Sequence, residues 1–210
     1  MNFTDRTDAG KRLAGALDAY AGRTAVVYAL PRGGVPVAVE VARALDAPLD
    51  LIIPRKIGHP QSPEYAIAAV TERGQPVENR AEVARVDPSW YREAVDAERA
   101  EADRRRRAYL GDRKPVSPKG KVAILVDDGI ATGLTMRAAV ADVRDRRPQE
   151  VVVAAPVASA DAAQALAKEA DAVVTCGEPE QFLGAIGTYY ERFEQLTDDQ
   201  VSRLLKDGAS

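Results

Sequence analysis

Residues 122–136 read VAILVDDGIATGLTM, passing from an apolar run to two adjacent acids and then to a loop of glycines and threonines. Adjacent carboxylates repel one another, and two glycines add chain freedom that folding has to remove. A ligand that wants both acceptors and a bed of backbone N–H groups would explain the combination. Asp127 and Asp128 fall at the end of a predicted buried strand, where ligands bind in open parallel sheets. Gly129, Ile130, Ala131, Thr132, Gly133 and Thr135 follow as a loop that enters a helix near Gly133. Unpaired N–H groups and the helix dipole suit such a loop to a phosphate, and the hydroxyls of Thr132 and Thr135 are further donors. Carboxylates are poor partners for phosphate but good acceptors for vicinal hydroxyls. A sugar phosphate fits, with phosphate in the loop and ribose hydroxyls on the aspartates. On the residues alone, ordinary loop acids followed by a helix-capping Thr132 account for the stretch equally well. The loops of nucleoside triphosphatases (GxxxxGK[ST]) and of dinucleotide folds (GxGxxG) do not occur in the sequence.

This stretch resembles the signature of the type I phosphoribosyltransferases, and its DDxxATGxT spelling is closest to the adenine phosphoribosyltransferase form. The resemblance extends over about residues 24–160. It implies an α/β fold, a mainly parallel sheet flanked by helices, with a small terminal hood. It also implies transfer of the phosphoribosyl group from phosphoribosyl pyrophosphate to a nitrogen nucleophile, most naturally a nucleobase, with release of pyrophosphate. Asp127 and Asp128 would hold the ribose hydroxyls, and Gly129–Thr135 the 5′-phosphate. Mg²⁺ would bridge pyrophosphate and ribose oxygens on the substrate, with Asp127 and Asp128 the candidate protein contacts, and the subunits would pair as a homodimer. The rival reading is a non-catalytic sensor or regulator of the same fold that binds phosphoribosyl pyrophosphate or a nucleotide.

A second anion site is expected in ALPRGGVPVA, where Arg32, Gly33 and Gly34 occupy the turn between a strand and a helix. A tight turn alone explains these glycines too; the resemblance makes the turn a pyrophosphate site, with Pro31–Arg32 as a cis peptide. Arg55 and Lys56, after the next strand, are either solvated cations or neutralise the leaving pyrophosphate. The Gly58–Pro63 loop, holding the only histidine, His59, resembles the mobile cover of many phosphoribosyltransferases. Some relatives place an aspartate in the phosphate loop as a proton-exchanging group; here that position is Ala131. The candidates left for general acid–base work are Glu72, where adenine-type relatives carry a comparable glutamate, and Glu64.

These residues need a scaffold. Apolar runs at Thr24–Leu30, Leu49–Ile53, Ala66–Thr71, Lys121–Asp127, Glu150–Pro156 and Ala172–Cys176 predict strands covered on both faces. Helical patterns lie between them, at about Asp5–Tyr20, from Pro36 to Leu45, Leu134–Arg146 and Asp161–Ala170, so βαβ units follow. Pro88–Leu110 predicts a charged helix whose Glu101/Arg105 and Asp103/Arg107 spacing suits surface ion pairs. The segment DRKPVSPKG reads as a flexible connector. The aromatics Phe182, Tyr189, Tyr190 and Phe193 fall in the expected hood (177–210), by packing or by stacking on a base, and Thr197/Gln200 spell a helix capping box. The whole, 1–210, reads as one domain.

Composition narrows the partners. With 29 Lys plus Arg against 32 Asp plus Glu, the net charge of −3 argues against non-specific nucleic-acid binding. One cysteine, Cys176, forms no internal disulfide and reads as core, and no run approaches a membrane span. A cytoplasmic setting is the expectation.

Overall fold

Strands that are apolar at every position need cover on both faces, and the main sheet has it. A computed structural model describes residues 2–177 and 182–208 of the chain. Five parallel strands form the main sheet in the order β2 (Leu49–Leu51), β1 (Ala25–Ala29), β6 (Val122–Val126), β7 (Glu150–Ala155), β8 (Ala172–Thr175). Alternate residues feed two cores. Val27, Ala29, Ile124 and Val126 pack on α1 (Arg6–Ala16), α2 (Gly34–Ala44) and α7 (Asp198–Asp207). Val26, Tyr28, Ala123 and Leu125 pack on α5 (Leu134–Asp145) and α6 (Ala160–Leu166).

Local chemistry sets the helix ends. Asp5 caps α1 by accepting from the Thr7 and Asp8 N–H groups, and Thr197 and Gln200 form the expected capping box on α7. The charged helix α4 runs over Pro88–Leu110 as predicted, capped by Asp87 and stopped at Gly111.

The strand predicted at Ala66–Thr71 is not part of the main sheet. It belongs to β4 (Ser62–Val70), which pairs antiparallel with β3 (Arg55–His59) and β5 (Val77–Glu78) in a second, three-stranded sheet. The short helix α3 (Arg80–Val83) follows. Gly58–Pro63 therefore forms the tip of a hairpin. Ile57, Ile67, Ala68 and Val70 give that hairpin an apolar face, which packs on Val95 of α4.

The connector before β6 has neither helix nor strand over residues 112–117, yet it is tied down. Arg113 Nη2 donates to Leu49 O at 2.7 Å, Val116 N to Asp50 Oδ2 at 2.7 Å, and the Tyr28 hydroxyl to Val116 O at 2.7 Å. Burial pushes the Tyr28 phenol up, as befits a hydroxyl that only donates here.

The arginine run on α4 divides. Arg104 and Arg105 pair with Glu101, and Arg107 with Asp103, on the surface. Arg106 points inward, 7% exposed, and donates to Asp50 Oδ1 and Leu51 O, both at 2.6 Å. No helix among the described residues is long and apolar enough to cross a membrane.

Candidate active site

The chain leaves β1 for β2 on one side and β6 for β7 on the other, so the sheet order reverses between β1 and β6. A crevice opens beyond the carboxyl ends of strands at such a point. Ala29 lies opposite Val126, and Leu30 N donates to Val126 O at 2.9 Å. The Pro31–Gly33 turn and the Asp127–Asp128 pair are thereby neighbours, although about a hundred residues separate them in sequence. The Pro31–Arg32 peptide is cis. Gly33 has an ordinary helical φ of −61°, so its need is space: an added Cβ would lie 1.9 Å from Asp128 Oδ2.

The loop after the acids turns through Gly133 at φ +75°, a left-handed conformation that glycine takes without strain. Helix α5 starts at the next residue, with its first N–H groups lacking intrahelical partners. The connection after β7 fixes the loop. Ile130 N donates to Val157 O, Ser159 N to Ile130 O, both at 2.9 Å, and Ser159 Oγ to Ala131 O at 2.6 Å. A cavity of ≈ 210 Å³ lies over this loop, lined by Asp127, Gly129–Gly133, Thr135 and Met136, with Lys56 from β3 and Ile186 from the C-terminal segment. Roomier hollows lie between α4 and α7 (≈ 720 Å³) and between α6 and β8 (≈ 380 Å³), with no carboxylate in their lining among the described residues, and beside Asp5 and Glu194 (≈ 390 Å³) and Asp46 and Asp207 (≈ 290 Å³), but the loop after Asp128 lines none of them.

The two acids sit in different surroundings. Arg6 Nε, on the first residue of α1, donates to Asp128 Oδ2 at 2.8 Å. The same guanidinium donates from Nη1 to Glu194 O at 2.9 Å and lies 3.8 Å from the Phe193 ring centroid. The Tyr190 hydroxyl donates to Asp128 O at 2.6 Å, its phenol pushed up chiefly by burial. Asp127 Oδ1 accepts from Asp128 N at 2.8 Å. Burial first, and the Asp128 charge second, push Asp127 well above the ordinary carboxylate range.

The late aromatics form a small core behind this pair. Phe3 pairs alongside Tyr190, with Phe3 N donating to Tyr189 O at 2.8 Å and Glu191 N to Phe3 O at 2.9 Å. Tyr189 and Tyr190 are buried with Phe3, Ala9 and Val157, and Phe182, Ile186 and Phe193 pack against them. Residues 178–181 and 209–210 of the expected hood lie outside the described residues. Arg6 escaped the sequence reading: an arginine at a helix start carries no mark of a partner 122 positions away.

Strand alternation separates the two cations of β3. Lys56 lines the cavity, whereas Arg55 Nε donates to Glu98 Oε2 of α4 at 2.7 Å. Arg32 Nη1 lies 3.7 Å from Asp198 Oδ1, at the start of α7. Glu72 is turned inward, its side chain 3% exposed, with Arg106 Nη1 at 3.5 Å and Ile53 N at 3.4 Å. Burial pushes its carboxyl up, and Glu72, like Asp128, Arg32, Gly33 and Arg55, does not line the cavity. Glu64 is exposed on β4, and His59 Nδ1 accepts from Gln61 N at 3.2 Å. Burial pushes the Cys176 thiol up to about 11, as its place beside the two cores suggests.

Comparison with known proteins decides the family. The model of the phosphoribosyl transferase domain matches residues 3–191. The chain belongs to that family. Two Mycobacterium tuberculosis proteins, from strains CDC 1551 / Oshkosh and H37Rv and both provisionally named phosphoribosyl transferases, are 41% identical to it over 210 residues. That match covers 97% of this chain and 46% of theirs, so the chain spans about half the length of the curated relatives it matches. The solved structure of the protein TT1426 from Thermus thermophilus superposes with a TM-score of 0.85 at 40% identity, covering 100% of each chain. The α/β architecture with its mainly parallel sheet is thus the family's fold, and the match takes in the N-terminal segment that carries Arg6.

Proposed function

We propose that this domain binds phosphoribosyl pyrophosphate and transfers its phosphoribosyl group to a nitrogen of a nucleobase, releasing pyrophosphate. The observation that carries the reading is the meeting of two anion-suited turns and two acids at one crevice, with Gly33 against Asp128 and Lys56 facing the loop. The Gly129–Thr135 loop would take the 5′-phosphate on the free N–H groups that open α5. Asp127 and Asp128 would accept from the ribose hydroxyls. The Arg32–Gly33 turn and Lys56 would face the pyrophosphate.

The reaction breaks the ribose C1–oxygen bond, and the electron pair leaves with pyrophosphate. The base nitrogen then bonds to C1 and gives up its proton to the departing pyrophosphate or to water. Positive charge develops on the ribose carbon beside the acids, which favour it electrostatically. Lys56 would favour the charge that builds on the leaving oxygen.

Asp127 and Asp128 offer hard oxygens suited to Mg²⁺. Among the described residues no group of three or more His, Cys, Asp or Glu side chains could hold a metal. The ion would therefore be held by substrate oxygens together with these two acids, and when bound it supplies neutralisation of the pyrophosphate charge.

The direct test is pyrophosphate release from phosphoribosyl pyrophosphate with Mg²⁺ across purines, pyrimidines and pyridines. Release with one class of base is expected. Binding without release for every base would instead support the sensor reading.

A further inference from the structure

Asp128 is short, and its carboxylate is held from outside its own loop. Arg6 reaches it from α1, and Arg6 is itself held three ways: by Asp128 Oδ2, by Glu194 O and by the Phe193 ring. Both side chains are mostly enclosed, at 12% and 15% exposure, so this is not a loose surface pair. A guanidinium with that many partners is slow to let go, and it donates to Oδ2 while leaving Oδ1 outside the pair.

Gly33 lies against the same carboxylate: an added Cβ would be 1.9 Å from Oδ2, 2.5 Å from Cγ and 3.0 Å from Oδ1. The carboxylate is bounded by a glycine and a fixed cation, and rotation about its Cα–Cβ bond would break the ion pair. The group with a ribose hydroxyl to receive thus has its direction set before any ligand arrives, which reduces the ordering cost of binding.

We infer that Arg6 is a positioning residue of the ribose subsite, fixing the Asp128 carboxylate against Gly33 and so setting the preference for ribose over sugars without the hydroxyl that Asp128 receives. The inference rests on the proposed assignment of Asp128 to the ribose. It ties recognition of the sugar to the N-terminal helix and the aromatic hood, because both hold the guanidinium.

The test compares two probes, ribose 5-phosphate and its 2,3-dideoxy analogue, by calorimetric titration at fixed pH. The proteins are the wild type, Arg6→Gln, Arg6→Lys and Arg192→Gln. Arg192 pairs with Asp5 on the surface of the same hood and controls for general loosening of it. The wild type is expected to prefer ribose 5-phosphate by roughly tenfold, the scale of a hydrogen bond to a charged acceptor. Arg6→Gln should lower that ratio several-fold, the Asp127 share remaining, with little change in affinity for the dideoxy compound. Arg6→Lys should fall between them, and Arg192→Gln should match the wild type.

A merely structural Arg6 would weaken both probes alike and leave the ratio standing. That result, or an unchanged ratio in Arg6→Gln, overturns the inference. Should Arg6→Gln fail to fold, Arg6→Lys carries the test, and a wild-type ratio there overturns it. A wild type that binds both probes equally removes the ribose assignment itself, which separates that failure from the failure of Arg6.

Discussion

The Asp128 carboxylate occupies the space that a side chain on Gly33 would need: an added Cβ would lie 1.9 Å from Oδ2 and 2.5 Å from Cγ. Two segments remote in sequence thus share one packing constraint at the centre of the crevice.

Gly33→Ala tests that constraint. Its backbone conformation suits alanine, so the effect has to come from displacing Asp128 and opening its pair with Arg6. Overpacking of this kind costs ~1–3 kcal/mol, and affinity for phosphoribosyl pyrophosphate should fall by roughly tenfold or more. Denaturant unfolding and calorimetry read the two effects. An alanine variant that binds as the wild type does would show that Asp128 can move at no cost.

Asp127→Asn should stabilise the free protein and weaken ligand binding together. With Asp127 held above the ordinary carboxylate range, the folded state binds the Asp127 proton more tightly than the unfolded chain does. Stability is then greatest below the unfolded value and is lost as pH rises through the folded one. Asn keeps the shape and removes the charge. A higher Tm than the wild type is expected above the unfolded carboxylate range. The decline of Tm with rising pH should flatten but not vanish, because Glu72 is raised too and acts in the same direction. A lower Tm for Asp127→Asn would contradict this account of the acid pair.

Arg106 and its neighbours separate buried from surface charge. Arg106→Met leaves Asp50 and Glu72 without their cation in the interior and should cost about 3–5 kcal/mol, whereas Arg104→Ala and Arg107→Ala, on exposed pairs, should leave the unfolding midpoint close to that of the wild type. Equal effects in denaturant unfolding would overturn the distinction.

This contrast also shows what the sequence can and cannot display. Helix α4 is legible because its limits are local: a capping aspartate, a proline in the first turn and a glycine after the last. Strand β6 and the acids after it are legible for the same reason. Within the arginine run no letter distinguishes Arg106 from Arg105; only the phase of the helix against β2 does. The hairpin β3–β4 was hidden by the prolines at its tip and by the register shift after Ile57, which break the alternation a strand should show. Arg6 and Asp128, like Gly33 and Asp128, meet only because the sheet order brings their elements together.

Glu72 marks the limit of reading a role from position. Its carboxyl faces Arg106 and Ile53 N in the interior, so Glu72→Gln should change stability and leave kcat within about tenfold of the wild type. A general acid–base residue would cost ~10²–10⁴-fold, and a loss of that size in kcat and kcat/KM together would return Glu72 to the chemistry.

The central claim is that phosphoribosyl pyrophosphate sits at the crevice between β1 and β6. Titrating the ¹⁵N-labelled protein with phosphoribosyl pyrophosphate and Mg²⁺ while following its amide resonances tests it most directly. The account predicts that the largest shifts fall on Gly129–Thr135 and Arg32–Gly34, with the hollow between α4 and α7 unmoved. Saturable shifts centred on that hollow, or none at the two turns, would contradict it.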